Sequence, residues 1–273
     1  MGGSVLAQTP ANLSAPTAFT GGLSVDTIFL KRFSSEESQR LIRVYQDQYE
    51  QYRQTERDFT TAQAQYVQLG TLASLETAVV SSREIMLDRT DVLITYHELL
   101  AATLVESVGV ELQLKQETLG QLQQAIESLK TIRADIANSN DRFAVGVVNT
   151  RFEAELVPQL YAVSYKTLSQ LVVADIQNVF DKTKLVYAEL QTELAKTEPS
   201  KLRLEERKRA YTEVDAAMRL LEQQLEAITT EVKIAEDSDD RLYRDLVGEL
   251  ESVYGGLGQA MTYIEELERT IHE

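Results

Sequence analysis

The feature that most constrains this sequence is an apolar stripe that runs through its last third. From Leu204 to Ala235 the apolar residues follow one another in steps of three, four or seven, and only Arg207 interrupts the series. The stripe resumes at Leu242 and reaches Ile271 with little loss of phase. Steps of three and four place apolar side chains on one narrow face of a helix and favour packing against a neighbouring helix. The stretch therefore predicts long, packed helices.

Three earlier segments carry stripes of the same kind, over residues 41–69, 72–136 and 161–190. Turn signals lie tens of residues apart, because the 273 residues include only 4 Pro and 12 Gly. Sheets need turn residues at shorter intervals. We therefore predict an all-α fold, an elongated antiparallel helical bundle or coiled coil of about four long helices that spans residues 34–273 as a single domain.

Capping residues and loop-forming runs predict where these helices begin and end. Ser34 and Glu37 fit a capping box at the start of the first helix, and Gly70 fits a C-terminal cap. Residues 138–141, Asn-Ser-Asn-Asp, are the clearest loop in the chain. A proline favours a tight reversal at residues 198–200, because the residue before it is pushed out of the helical region.

Three positions are candidates for breaks within the helices. A single glycine costs a helix only about 1 kcal/mol, and the valines beside Gly109 do not favour a turn. We therefore expect residues 72–137 to form one continuous helix, with a turn at Gly109 as the alternative. Pro158 is expected to kink the third helix, because it lacks a backbone donor. Gly255-Gly256 either breaks the last helix or leaves it continuous over residues 200–272.

The first 33 residues differ in character from the rest and are predicted to be a leader and a flexible tail. Residues 1–4, Met-Gly-Gly-Ser, resemble an expression leader, and residues 5–10, Val-Leu-Ala-Gln-Thr-Pro, resemble the end of a secretory signal. Residues 25–33 end the tail and could dock on the bundle through Ile28, Phe29, Leu30 and Phe33. We predict an exported protein, extracellular or periplasmic, with a cytoplasmic location as the alternative.

The charge and the cysteine count exclude several kinds of binding site. A formal net charge of −16 argues against nucleic acid as a partner, since phosphate binding relies on Lys and Arg. It also disfavours electrostatic docking on anionic lipid. The sequence has no Cys, which excludes disulfides, thiolate metal sites and cysteine nucleophiles. No apolar run is long enough to cross a bilayer.

Motifs that carry chemistry are missing as well. His97 and His272 are the only two histidines, and neither has the Glu-x-x-His spacing of di-iron helices. We interpret His97 as a boundary or surface residue. No zinc helix, phosphate-binding loop, dinucleotide fingerprint or nucleophile elbow is present. The basic triplet at residues 207–209 follows two glutamates and is interpreted as a solvated helix face with intrahelical ion pairs. We therefore predict no enzymatic activity, catalytic residue, cofactor, metal or small-molecule substrate.

Two apolar segments are the candidate contacts with a partner. One is residues 143–148, beside the 138–141 loop, although burial in the third helix is the competing interpretation. The other lies near the end of the last helix, which is long enough to outreach its neighbours within the chain. The candidate residues are Phe143, Val145, Val147, Val148, Leu257, Ile264 and Ile271.

The leading functional hypothesis is a non-enzymatic structural or protein-interaction bundle, acting as a spacer, stalk or docking module with a protein partner or a second copy of itself. One alternative is a membrane-active, pore-forming or membrane-remodelling protein that inserts residues 143–148. Another is a cytoplasmic coiled-coil scaffold that oligomerises, because heptads do not distinguish partner helices in the same chain from those in another.

Overall fold

Every regular element that the structure describes is a helix. The computed structural model describes residues 35–196, 201–234 and 240–272, and the prediction of an all-α bundle is confirmed. The elements are α1 (Glu36–Leu69), α2 (Leu72–Glu106), α3 (Leu112–Asn138), α4 (Arg142–Arg151), a π-helical turn (Phe152–Leu156), α5 (Val157–Ala195), α6 (Lys201–Ile234) and α7 (Asp240–His272). The predicted number of about four helices is wrong, since these ranges alone hold six long helices and the short α4.

The helix ends follow local capping chemistry, with one shift from the prediction. α1 is capped by Ser35, whose hydroxyl accepts from the backbone N–H of Ser38 at 3.1 Å, and Glu37 instead pairs with Arg40 on the helix surface. Gly70 ends α1 at a φ of 60°, as predicted. The predictions for Ser34, for the tail of residues 1–33 and for the reversal at 198–200 lie outside the described residues.

The prediction of one continuous helix over residues 72–137 is wrong. α2 ends at Glu106 and α3 begins at Leu112, and we call residues 107–111 between them the elbow. Gly109 has a φ of 99°, a conformation that side chains with a Cβ rarely adopt. The ammonium group of Lys115 donates to the carbonyl oxygens of Val105 at 3.0 Å and Ser107 at 2.8 Å. These bonds satisfy carbonyls at the end of α2, and the elbow turns α3 back along α2.

The third helical segment continues through Pro158, and its hydrogen-bond pattern changes from α-helical to π-helical in the turn before the proline. The chain is helical from Arg142 to Ala195 without interruption, but the turn from Phe152 to Leu156 is π-helical. The ring of a proline collides with the carbonyl of the preceding turn in a regular α-helix, and the wider π turn directly precedes this ring. At 1.5 Å per residue, α4, the π turn and α5 together measure roughly 80 Å.

This long segment joins two bundles that lie in series. α4 and the first half of α5 pack with α2 and α3, while α1 packs on α2. The second half of α5 packs with α6 and α7. Three cores result. The tip core contains Met86, Leu93, Leu129, Ile132, Ile136, Val145, Phe152, Leu156 and Leu160. The middle core is built around Leu104, Leu122 and Leu171, and the far core around Val214, Leu250 and Leu267.

The far bundle decides between the two alternatives at Gly255-Gly256 and corrects one expectation about the last helix. α7 runs through Gly255 and Gly256 without a break, and at Gly256 a Cβ would lie 2.8 Å from the side chain of Leu221. Leu257 and Ile264 are each 3 % exposed, within the far core. The expectation that these two residues lack an intramolecular neighbour is therefore wrong. The side chain of Ile271 lies outside the described part of the chain.

Arg207 is buried, which corrects its interpretation as a solvated residue. Its guanidinium group donates to the carbonyl oxygen of Leu194 at 3.3 Å and to that of Thr270 at 3.2 Å. These carbonyls lie in the last turns of α5 and α7, where a positive charge is favourable. Lys208 and Arg209 do form the predicted intrahelical ion pairs on the exposed face.

Candidate interaction surface at one end of the bundle

One end of the molecule carries both the α1–α2 turn and the α3–α4 loop. Three contacts fix this register: Thr55 donates to Asp88, Arg133 to Asp91, and Arg89 to Glu153. In this register the start of α4 lies beside the second turn of α2. The α1–α2 turn therefore projects roughly 10 Å beyond the start of α4, at 1.5 Å per residue.

Large apolar side chains are exposed at this end, and we call them together the tip surface. Phe143 is 81 % exposed, the most exposed large apolar side chain in the described ranges, and Val147 is 52 % exposed. The other exposed members come from the projecting α1–α2 turn and from the first part of α2. The tip surface consists of Val67, Leu69, Leu72, Val80, Phe143 and Val147.

The structure divides the four predicted residues of α4 between two faces. Phe143 and Val147, four residues apart, share the outer face, whereas Val145 is 7 % exposed and belongs to the tip core. Val148 is partly buried and packs against the same core. Phe143 and Val147 are therefore available to a partner, and Val145 contributes to stability instead.

Local hydrogen bonds hold the first turn of α4 in place. The carboxylate of Asp141 accepts from the backbone N–H of Ala144 at 2.9 Å, which caps the helix. Arg151 pairs with Asp135 across the α3–α4 loop, and the hydroxyl of Ser139 donates to the carbonyl oxygen of Asp135 at 2.8 Å. Phe143 thus lies on an ordered turn, so the backbone of α4 loses little conformational entropy when a partner binds.

Sequence reasoning missed the contribution of α1 and α2 to this surface. Leu69 and Leu72 belong to the apolar stripes, whose residues are expected to pack against a neighbouring helix. They are exposed because they flank the turn at Gly70, which projects past the other helices. The position of Gly70 between the two stripes was the signal available, since residues beside a hairpin turn have fewer neighbours.

A second site of chemical interest is buried in the middle of the molecule. His97 is fully buried, so its interpretation as a boundary or surface residue is wrong. Its Nδ1 lies 2.7 Å from the carbonyl oxygen of Leu93 and its Nε2 lies 3.2 Å from the hydroxyl oxygen of Ser164. In the neutral ring Nδ1–H donates to the carbonyl and Nε2 accepts from the hydroxyl. Because both side chains are buried, this pair satisfies core polar groups and is not open to substrate.

Burial of His97 predicts a loss of stability in mild acid. Burial lowers the pKa of His97 below its usual 6.5, while the carbonyls of Leu93 and Leu160, which accept hydrogen bonds from the charged ring, act in the opposite direction. The unfolded chain therefore binds more protons than the folded chain, and stability falls as the pH drops from 6.5 through the lower folded pKa. We expect the free energy of unfolding to decrease between about pH 7.5 and about pH 5.5.

Urea titrations at several pH values measure this free energy of unfolding. Repeated on two variants, they show whether His97 causes its dependence on pH. His97→Gln is expected to lose most of the pH dependence in this interval, whereas the matched control His272→Gln keeps it. An unchanged dependence in His97→Gln would show that other groups cause it.

The described residues show few other sites for ligands. No group of three or more His, Asp or Glu side chains among them is placed to hold a metal ion. No helix in the same ranges combines the length and the apolar character needed to cross a membrane. An open groove of about 250 Å³ lies between α3 and α5, with Gln121, Gln124, Gln159 and Lys166 among its lining residues.

Comparisons with protein-family models, curated proteins and solved structures find no match to this chain.

Proposed function

We propose that this chain is a non-enzymatic structural and protein-interaction bundle, a spacer that presents its tip surface to a protein partner. The observation that carries the proposal is the gathering of six exposed apolar side chains at one end of an elongated bundle. A spacer needs length and a fixed relation between its ends. The continuous segment of α4, the π turn and α5 is roughly 80 Å long and runs through both bundles. The tip surface is then held at a fixed distance from the far end when it binds the partner.

Contacts at the junction of the two bundles support a spacer that keeps its shape. Lys233 at the end of α6 pairs with Glu111 of the elbow at 2.6 Å. The rings of Tyr165 on α5 and Tyr243 on α7 lie 5.7 Å apart. From Val163 to Ala174, α5 is buried on nearly all sides, because helices of both bundles surround it. Such packing opposes bending at the joint.

A protein partner suits the tip surface better than lipid or nucleic acid. The net charge of −16 repels anionic lipid headgroups and phosphates. An exposed aromatic residue on a fixed helical turn is the type of anchor that fills a pocket on another protein. The signal-like residues 5–10 support a cell-surface or periplasmic location for this contact.

Photo-crosslinking from the tip surface tests the proposal. A benzophenone analogue of phenylalanine is introduced at position 143 and, as a matched control, at position 185, where Leu185 is 64 % exposed on α5. In cells that naturally express the chain, irradiation is expected to give one discrete protein adduct from position 143 and none from position 185. Phe143→Asp is expected to weaken binding of the identified partner by roughly 30-fold, about 2 kcal/mol.

Liposome flotation distinguishes the membrane-active alternative. Flotation with neutral or anionic vesicles that is lost in Val147→Asp would contradict a protein partner at the tip. The absence of adducts, or identical adducts from both positions, would also contradict the proposal.

A further inference from the structure

A second group of exposed apolar side chains lies around the elbow. Val105, Val108 and Leu112 are 60, 69 and 68 % exposed, respectively, and we call them the elbow surface. The backbone beneath them is held in place, since Lys115 bonds to the carbonyls of Val105 and Ser107. Gly109 also lies directly against the backbone of Ala174 in α5. The elbow surface is therefore an apolar patch on a fixed support, at the joint of the two bundles.

The chain enters the described structure beside this patch. The hydroxyl groups of Ser35 and Ser38 both donate to the carboxylate of Glu106, the latter at 2.6 Å. Glu106 is the last residue of α2 and adjoins Val105. The ten residues before Ser35 span up to roughly 33 Å when extended. The elbow surface is thus within their reach.

We propose that residues 25–33 of this same chain cover the elbow surface. The segment contains five large apolar residues, Val25, Ile28, Phe29, Leu30 and Phe33, and burying such side chains against exposed apolar ones is favourable. The same chain supplies the segment, and its connection to Ser35 brings it to the elbow surface. The occupant is therefore matched by apolar content and by its covalent connection.

This docking adds an interaction that is independent of the tip surface. It links the start of α1 to the elbow, which itself contacts α5 at Ala174 and α6 at Lys233. Because the segment is tethered next to its site, its effective concentration there is high and weak contacts suffice. The segment closes an apolar patch that would otherwise favour association between copies of the chain.

Disulfide trapping in the full chain tests this docking without background thiols, because the sequence has no Cys. Phe29→Cys is combined with Val108→Cys and, as a control, with Arg43→Cys on the exposed side of α1. Under mild oxidation, we expect an intramolecular disulfide in the Phe29–Val108 pair at least about tenfold faster than in the Phe29–Arg43 pair. Adding Ile28→Asp and Leu30→Asp to the first pair should reduce its rate to that of the control. Gel mobility and mass of the non-reduced protein give the rates.

Three results would overturn the docking. Equal rates in the two pairs would show no preference for the elbow surface. A rate unaffected by Ile28→Asp and Leu30→Asp would show that apolar contact is not the cause. Disulfide-linked dimers in place of the intramolecular bond would assign the elbow surface to a second copy. None of these results bears on the tip surface, which is tested by position 143.

Discussion

Replacement of Phe152 by alanine is expected to lower the free energy of unfolding by about 3–5 kcal/mol. Phe152 is 1 % exposed and lies within the tip core. The guanidinium carbon of Arg89 lies 4.7 Å from the centre of its ring, an arrangement that adds cation–π attraction to the apolar burial. Truncation leaves a cavity that the surrounding helices fill only in part, since a packed core relaxes incompletely around a deleted side chain.

Phe143→Ala is the matched control, since it removes the same side chain nine positions earlier in the same helical segment. Phe143 is 81 % exposed, so its loss should change the free energy of unfolding by no more than about 0.5 kcal/mol. Urea titrations followed by circular dichroism measure both variants. If the tip surface binds a partner as proposed, Phe143→Ala weakens that binding and keeps the stability of the fold, whereas Phe152→Ala lowers the stability. Similar destabilisation of both would contradict the assignment of one phenylalanine to the core and the other to the tip surface.

The apolar stripes predict the helices and most of the core because spacing alone decides which face a residue occupies. Val214, Met218 and Leu221 follow one another by four and three, and all three are buried in the far core. The interruption at Arg207 could not be interpreted from its neighbours. It is buried because the ends of α5 and α7 place the carbonyls of Leu194 and Thr270 around it, and only the tertiary arrangement brings those groups together.

The candidate site was predicted in part, for a reason that lies in helical geometry. An apolar run such as residues 143–148 surrounds a helix, so it contains both core and surface residues, and a neighbouring helix decides which are which. Val145 faces that neighbour and Phe143 does not. The same ambiguity explains Leu257 and Ile264, since an apolar stripe has the same pattern whether its partner helix is in the same chain or another. The burial of His97 is not evident from the sequence, because its position beside the stripe residue Tyr96 does not show whether another helix covers it. In the structure α5 does so, through Ser164.

The elbow shows where weak local preferences give way to tertiary packing. Gly109 was predicted to remain helical, because one glycine costs a helix only about 1 kcal/mol and its valine neighbours do not favour turns. The break at the elbow instead lets α3 fold back on α2, which buries Leu104 and Leu122 completely. Full burial of two leucines contributes about 1.5–3 kcal/mol each, so packing exceeds the preference for a continuous helix.

Gly109→Ala is therefore expected to lower the free energy of unfolding by about 2–4 kcal/mol. Two costs combine at this position. The φ of 99° is unfavourable for any residue with a Cβ, and the added Cβ would lie 3.1 Å from the carbonyl oxygen of Ala174, which α5 holds in place. Urea titration gives the free energy, and hydrogen exchange of the elbow amides shows whether the loss is local.

Two other glycines separate these costs. At Gly70 the φ is 60° and no atom lies within 4 Å of an added Cβ, so Gly70→Ala carries only the conformational cost, about 1–2 kcal/mol. Gly120 has ordinary helical φ and open space around it, so Gly120→Ala should stabilise the protein by about 0.5–1 kcal/mol. From the most to the least stable, the expected order is Gly120→Ala, wild type, Gly70→Ala and Gly109→Ala. A Gly109→Ala variant as stable as wild type would mean that the elbow does not hold the two bundles in the arrangement described, because its contact with Ala174 leaves no room for a Cβ without a shift of the backbone.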